Sequence, residues 1–256
     1  MRVRYVIPGP MGRSAAGAAE LRRRQQLLRG WARPGTEVTV EDSATGPASI
    51  ESGYEDHLAV PILALALAQA EQDQIEAMII GCYDDPGCDA LREIASGTIV
   101  VGPALASLHL AALVGTQIGI LTVPEPAAIW RLVYASRMQD HVRDAAVIRS
   151  TVLELQERSD RTRDEIRLAA ARLVESGADV IVLGCMSLGF LDLDELLSEE
   201  VGVPVINPAR AALATAELLV HANLHPSKVA YPQPPKLRGG TPVGDFLGCG
   251  LQVGGR

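Results

Sequence analysis

Short apolar runs recur along the chain, and each is followed by a stretch with helical periodicity. Val3–Ile7 predicts a first strand, and Ala15–Ala32 a helix stopped by Pro34 and Gly35. Glu37–Val40 alternates polar and apolar residues as a half-exposed strand does. The stretch from Gly46 to Gly53 reads as a loop, Tyr54–Gln72 as largely helical, and Glu76–Ile80 as a buried parallel strand. A helix-compatible segment (Gly87–Ile94), an apolar run (Thr98–Pro103) and an alanine-rich segment (Ala104–Leu113) come next. Gln117–Thr122 then opens a second series. In it, Asp160–Ser176 is the clearest helix, because Ile166, Ala169, Ala170, Leu173 and Val174 share one face and Gly177 supplies the stop. Ala178–Leu183, a helix over Leu191–Glu199, the run Val203–Pro208 and the alanine-rich Ala209–Val220 follow in the order seen before. The tail from His225 to Arg256, rich in Pro and Gly, reads as irregular structure wrapping the body.

The two series are a repeat. Gly81-Cys82 and Gly184-Cys185 each end an apolar run and lie 103 positions apart, and Cys82 precedes Gly102 by 20 positions where Cys185 precedes Asn207 by 22. Alternating strands and helices in two copies predict an α/β protein of two pseudo-symmetric lobes, each a parallel-sheet α/β sandwich. The active site then falls in the cleft between them. The expected division puts residues 1–110 and 208–256 in one lobe and 111–207 in the other. In open α/β sheets ligands bind at the C-terminal strand ends, which is where both cysteines fall.

Composition narrows the function classes. With 256 residues, 48% of them hydrophobic, the chain can bury a sizeable core. The net charge of -8 argues against nucleic-acid partners and an anionic membrane surface. The sole basic cluster, Arg22-Arg23-Arg24, reads as a solvated helix face. Neither a secretory leader nor a membrane span is expected, since Pro8 cuts the first apolar run short and the longest one carries Pro103, Ser107, His109, Thr116 and Gln117. A cytoplasmic protein with reduced cysteines, acting on a small molecule as a homo-oligomer, is the expectation.

Two thiols facing one cleft permit a specific chemistry. A free thiol ionises near pH 8.5, and nearby positive charge or a helix start lowers that value. One cysteine as thiolate can take a proton from a carbon acid while the other as thiol returns one to the opposite face, inverting the carbon. No metal or cofactor is required. A single buried cysteine is commonly just a small core residue, but matched placement at two ligand-binding edges favours the acid/base reading. Cys88 reads as a helix packing residue and Cys249 has no motif partner. The spacing of Cys82 and Cys88 fits no zinc pattern, the five histidines show no ligand spacing, and His109 reads as a packed or surface residue. Gly9, Gly102 and Gly119 make no dinucleotide fingerprint. Thr122 and Ser187 are hydroxyls at strand ends, suited to holding a substrate oxygen.

The residues from Gly81 to Glu93 resemble the first cysteine motif of hydantoin and allantoin racemases, within the aspartate/glutamate/hydantoin racemase superfamily. Gly46–Ser52 resembles an upstream loop of that family, and Val182–Met186 with Gly202–Ile206 its second motif. The resemblance implies a cofactor-independent racemase or epimerase with Cys82 and Cys185 as the acid/base pair. It also implies a substrate such as a 5-substituted hydantoin, allantoin or an amino-acid derivative. The substrate would be held around Pro8, Gly9, Tyr83, Asp84, Thr122, Met186 and Ser187. Ile7-Pro8-Gly9-Pro10-Met11 replaces the Asn-Pro-Asn-Thr-like opening usual in the family, and Met186-Ser187-Leu188 also departs from it. Both departures touch the substrate pocket, not the thiols. A cysteine-dependent cis-trans isomerase, a single-cysteine decarboxylase of the same superfamily and a non-catalytic binding protein are the alternatives.

Overall fold

Strands buried on both faces form the centre of two four-stranded parallel sheets. The first sheet contains β1 (Arg2–Ile7), β2 (Glu37–Asp42), β3 (Ala77–Ile80) and β4 (Ile99–Val101) in the order β2-β1-β3-β4. The second contains β5 (Ile118–Thr122), β6 (Val142–Val147), β7 (Val180–Leu183) and β8 (Val205–Ile206) in the matching order β6-β5-β7-β8. The structure is a computed structural model and describes residues 1–123 and 126–238; the end of the tail, with Cys249, lies outside them. The expected duplicated α/β architecture is therefore present, two lobes with one topology. Register is equivalent too, with Val6 opposite Ile80 in one sheet and Leu121 opposite Leu183 in the other.

The helices are α1 (Ala15–Trp31), α2 (Gly53–Gln72), α3 (Cys88–Ile94), α4 (Pro103–Val114), α5 (Pro126–Ala135), α6 (Asp160–Glu175), α7 (Met186–Gly189), α8 (Asp194–Val201) and α9 (Pro208–His221). They sort by face. Leu63 and Leu67 of α2 and Leu91 of α3 bury one side of the first sheet, and Ile166 and Leu173 of α6 with Leu197 of α8 do the same for the second. The other faces share one core, in which residues of both sheets meet Leu28 of α1, Leu108 of α4, Ile129 of α5 and Leu213 of α9. The alanines of α4 and α9 let these two helices pack closely, and each crosses between lobes: α4 lies on β7, α9 on β3 and β4. Among the described residues no helix is long and apolar enough to cross a membrane.

Two elements give no clear signal in the sequence. The edge strand β6 (VRDAAV) has only Val142 buried, so it carries neither an apolar run nor clean alternation. With α5 it completes the copy of β1-α1-β2. After Cys185 the chain turns at once into α7, whereas the sequence predicted its first helix there at Leu191; Asp192 at positive φ then separates α7 from α8. In the tail, Lys228 Nζ donates to the carbonyls of Arg92 (2.7 Å), Glu93 (3.2 Å) and Ala95 (2.6 Å), which fastens it to the end of α3.

The lobes differ in how they cap the helix after the fourth strand. In the first, Asp85 accepts from the amides of Ala104 and Leu105, both at 3.0 Å, and Gly102 leaves room for its carboxylate. In the second, Asn207 caps α9 itself, accepting from Ala209 at 3.0 Å, while its Nδ2 donates to the Gly189 carbonyl at 2.8 Å. Side chain and glycine have exchanged places: a Cβ on Gly102 would lie 2.3 Å from Asp85 Oδ2, and one on Gly189 would lie 2.6 Å from Asn207 Oδ1.

Gly102→Ala should consequently displace Asp85 from its amides and cost about 1 to 2 kcal/mol, the size of a lost helix cap. Gly53→Ala, whose Cβ meets nothing within 4 Å, should stay within about 0.5 kcal/mol of the parent. Chemical denaturation of both variants and of Asp85→Ala/Gly102→Ala checks this, since the double variant should cost less than the two singles together.

Candidate active site

A glycine places each cysteine. The Gly81 amide donates to the Val6 carbonyl at 2.7 Å, and the Gly184 amide donates to Leu121 at 2.6 Å. A Cβ at Gly81 would sit 2.5 Å from the Val6 oxygen, and one at Gly184 would sit 2.7 Å from Ile120 Cγ2. No side chain fits at either point. The chain therefore leaves β3 and β7 in the same way and delivers Cys82 and Cys185 into one cavity between the lobes. Ile7, Pro8, Met11, Ala48–Ile50 and Gly81–Asp84 line it from the first lobe, Val152 and Gly184–Ser187 from the second, and Arg24 from α1. Its volume is about 80 Å³, room for on the order of five to eight water-sized groups at roughly 10–15 Å³ each.

The two thiols sit in different fields. Burial pushes the half-buried Cys82 well above its ordinary range, and the charges of Asp84 and Asp56 push it further, against one hydrogen bond from the Asp84 amide. Burial also raises Cys185, but the amides of Leu188 and Ser187 and the Arg24 guanidinium pull it back. Asp84 is itself raised to about 6 by burial, with the Asp56 charge adding to the shift and Arg131 opposing it. Cys88, the third cysteine among the described residues, is a buried thiol packed in the first-lobe core and pushed up to about 12 by that burial.

Arg24 corrects the reading of the basic cluster as a solvated face. Of the three arginines only Arg22 is exposed; Arg24 keeps 2% of its surface. Its Nε donates to Glu20 at 3.0 Å, its Nη2 to the Ser187 hydroxyl at 3.2 Å, and its guanidinium lies 4.6 Å from the Phe190 ring centre. Glu20 also holds Arg23 at 2.9 Å and Arg158 at 2.9 Å. Burial alone would raise Glu20, but Arg23 and Arg24 overcome it and keep the carboxyl below its usual range. The sequence does contain a signal for this. Gly17, Glu20, Arg24 and Leu28, the buried positions of α1, are three or four apart and therefore share one helix face.

Of the other expected substrate-holding positions, Pro8, Tyr83, Asp84, Met186 and Ser187 line the cavity, whereas Gly9 and Thr122 do not. Gly9 is where two loops touch, its Cβ position 2.1 Å from the Pro47 carbonyl oxygen. The Thr122 hydroxyl is fully buried and donates to the Gly184 carbonyl at 3.0 Å, so it braces the strand end beside Cys185. His109 is exposed on α4, with Nδ1 2.8 Å from the Leu105 carbonyl. Met11, Ala48–Ile50 and Val152 join the wall through loop geometry. No group of three or more His, Cys, Asp or Glu side chains among the described residues is arranged to hold a metal ion.

Two equivalent parallel sheets with a thiol at the same strand end of each, both opening on one cavity, define a racemase-type α/β fold. The profile of the Asp/Glu/Hydantoin racemase family matches residues 11–216, and the chain belongs to that family as an isomerase of the racemase class. A hydantoin racemase from Rhizobium meliloti is 35% identical over 207 residues, covering 77% of this chain and 83% of the relative. One from Pseudomonas sp. (strain NS671) is 32% identical over 209 residues, covering 80% and 83%. A solved allantoin racemase from Klebsiella pneumoniae superposes with a TM-score of 0.81 at 29% identity, covering 91% of this chain and 94% of that one.

Asp84→Asn removes the nearest negative charge from Cys82. At pH 8 Asp84 is ionised, because its pKa is about 6, so the substitution should lower the Cys82 pKa and speed its alkylation several-fold. Burial, the larger cause, remains, so Cys82 should still titrate above a free thiol. Peptide-resolved mass spectrometry after timed iodoacetamide treatment reads this directly, and Cys88 serves as the unchanged control.

Proposed function

We propose that the protein racemises a small five-membered cyclic carbon acid of the hydantoin or allantoin type, without a cofactor, with Cys82 and Cys185 as bases on opposite faces of the stereocentre. The observation that carries this reading is the presence of both thiols in one small cavity at equivalent strand ends of two equivalent sheets. The names of the relatives supply the substrate class. One thiolate takes the proton from carbon, the electron pair moves onto the adjacent carbonyl oxygen, and the opposite thiol protonates the other face as the carbonyl re-forms. The pair ends with its protonation states exchanged. Ser187 accepts its hydrogen bond from Arg24, so its own proton is free for the substrate oxygen. Asp84 on the opposite flank accepts from a ring N–H. The cavity size suits a ring of this kind and leaves a substituent to extend past Ala48–Ile50.

Each cysteine serves one face, which gives a decisive test. Changing either one to Ser should lower racemisation by about a thousandfold. The surviving thiolate should still detach the proton that faces it, so in D2O Cys82→Ser should deuterate one enantiomer without inversion and Cys185→Ser the other. NMR of both enantiomers with both variants measures this. Near-normal racemisation in either variant would exclude the two-base assignment.

A further inference from the structure

Arg24 and Asp84 are the only cation and the only anion among the described residues that line the cavity, and they stand at opposite cysteines. Arg24 touches Ser187, two residues after Cys185 in the same turn, while Asp84 is two residues after Cys82. The backbone around the two thiols is thus nearly symmetric and the charge is not.

A guanidinium that is 2% exposed must have its charge balanced nearby, because burying an unpaired charge is expensive. Glu20 does so only in part. Its one carboxylate is shared among Arg23, Arg24 and Arg158, three positive charges to one negative. On its remaining sides Arg24 meets the Phe190 ring, the neutral Ser187 hydroxyl and the cavity. The groups that bear on Cys185 are Arg24 with Glu20 behind it on α1, Tyr5 on β1, and Cys82 and Asp84 across the cavity. Tyr5 is fully buried and held neutral by that burial, with the neighbouring Arg24 guanidinium pulling the other way, so it supplies no negative charge. Asp84 opposes a second anion in the cavity, whereas the amides of Leu188 and Ser187 together with Arg24, the one cation in the lining among the described residues, favour one at Cys185. That leaves Cys185 as the group whose negative charge completes the balance.

We propose that Arg24 is a positioning residue that makes Cys185, and not Cys82, the thiolate of the resting pair. The assignment rests on the two-thiol reading given above. It also has a kinetic consequence. The enantiomers are equal in energy, so kcat/KM is the same in both directions whatever the enzyme does. Unequal thiols show instead as different kcat and KM for the two enantiomers, the one deprotonated by Cys185 meeting the enzyme in its resting form.

The test needs no substrate. Iodoacetamide alkylation of the full chain between pH 6.5 and 9.5, read separately for each cysteine-containing peptide, titrates Cys185 and Cys82 in the wild type, Arg24→Gln, Arg24→Lys and Glu20→Gln. Wild-type Cys185 should ionise at lower pH than Cys82. Arg24→Gln should slow Cys185 alkylation at pH 7.5 about tenfold, the size of a one-unit rise in pKa, with Cys82 changed less than twofold. Arg24→Lys should recover most of the rate. Glu20→Gln removes the competing anion and should speed Cys185, a change opposite in sign to that of a damaged pocket, and it stands as the second test if Arg24→Gln does not fold. An unchanged Cys185 rate in folded Arg24→Gln, equal slowing of both thiols, Lys as slow as Gln, or slowing by Glu20→Gln would each overturn the proposal. Failure here with intact two-cysteine isotope behaviour rejects Arg24 alone; failure of the isotope test rejects the shared premise.

Discussion

The contact on which the site depends is the close approach of two backbones, Gly81 against Val6 and Gly184 against Leu121. Each glycine amide meets the carbonyl of the neighbouring strand at a place where a Cβ would collide with backbone or an adjacent side chain. Because the central strand cannot be pushed away without opening a parallel ladder buried on both faces, the residue after each glycine has one exit direction. In both lobes that direction leads to the shared cavity, and in both the residue is cysteine.

Around this repeated placement the two halves have diverged in ways that preserve geometry. Asp85 with Gly102 and Asn207 with Gly189 solve one problem, capping the helix after the fourth strand, from opposite sides of the same gap. A buried cap can come from either partner provided the other is glycine, since only one side chain fits. The charges follow a different rule. Asp84 beside one thiol and Arg24 beside the other give a polar axis to a nearly symmetric frame. The two-base chemistry proposed for this pair would use such an axis, since one group must hold a proton while the other lacks it.

The ring of arginines about Glu20 ties this axis to the rest of the molecule. Glu20 and Arg24 sit on α1, which packs on the first sheet, whereas Ser187 and Arg158 belong to the second half of the chain. Arg23 reaches across as well, to the Phe190 carbonyl, and the Phe190 ring packs against Tyr5 and Trp31 of the first half. The position of Cys185 relative to its neighbouring cation is therefore set by the packing between lobes.

Local pattern was enough to reveal the repeat, the parallel strands and the two cysteines, because a strand buried on both faces has to be an apolar run and a close-approach glycine stands directly in the chain. The same logic failed for β6, an edge strand in which burial asks little of the sequence, and for α7, a single turn held by its position after Cys185. Arg24 shows the limit most clearly. Read along the chain it is the third of three arginines, and its spacing from Glu20 and Leu28 marks a helix face without saying whether water or protein covers it. Only the second lobe, arriving more than 160 residues later with Ser187 and Phe190, turns that face inward. Thr122 and Gly9 moved the other way, from expected substrate contacts to braces of a strand end and a loop crossing. Sequence determined which chemical groups end each strand, since that depends on neighbours a few residues apart. Tertiary structure decided which charges those groups face, because electrostatic partners are chosen by distance in space and strongly so where water is excluded.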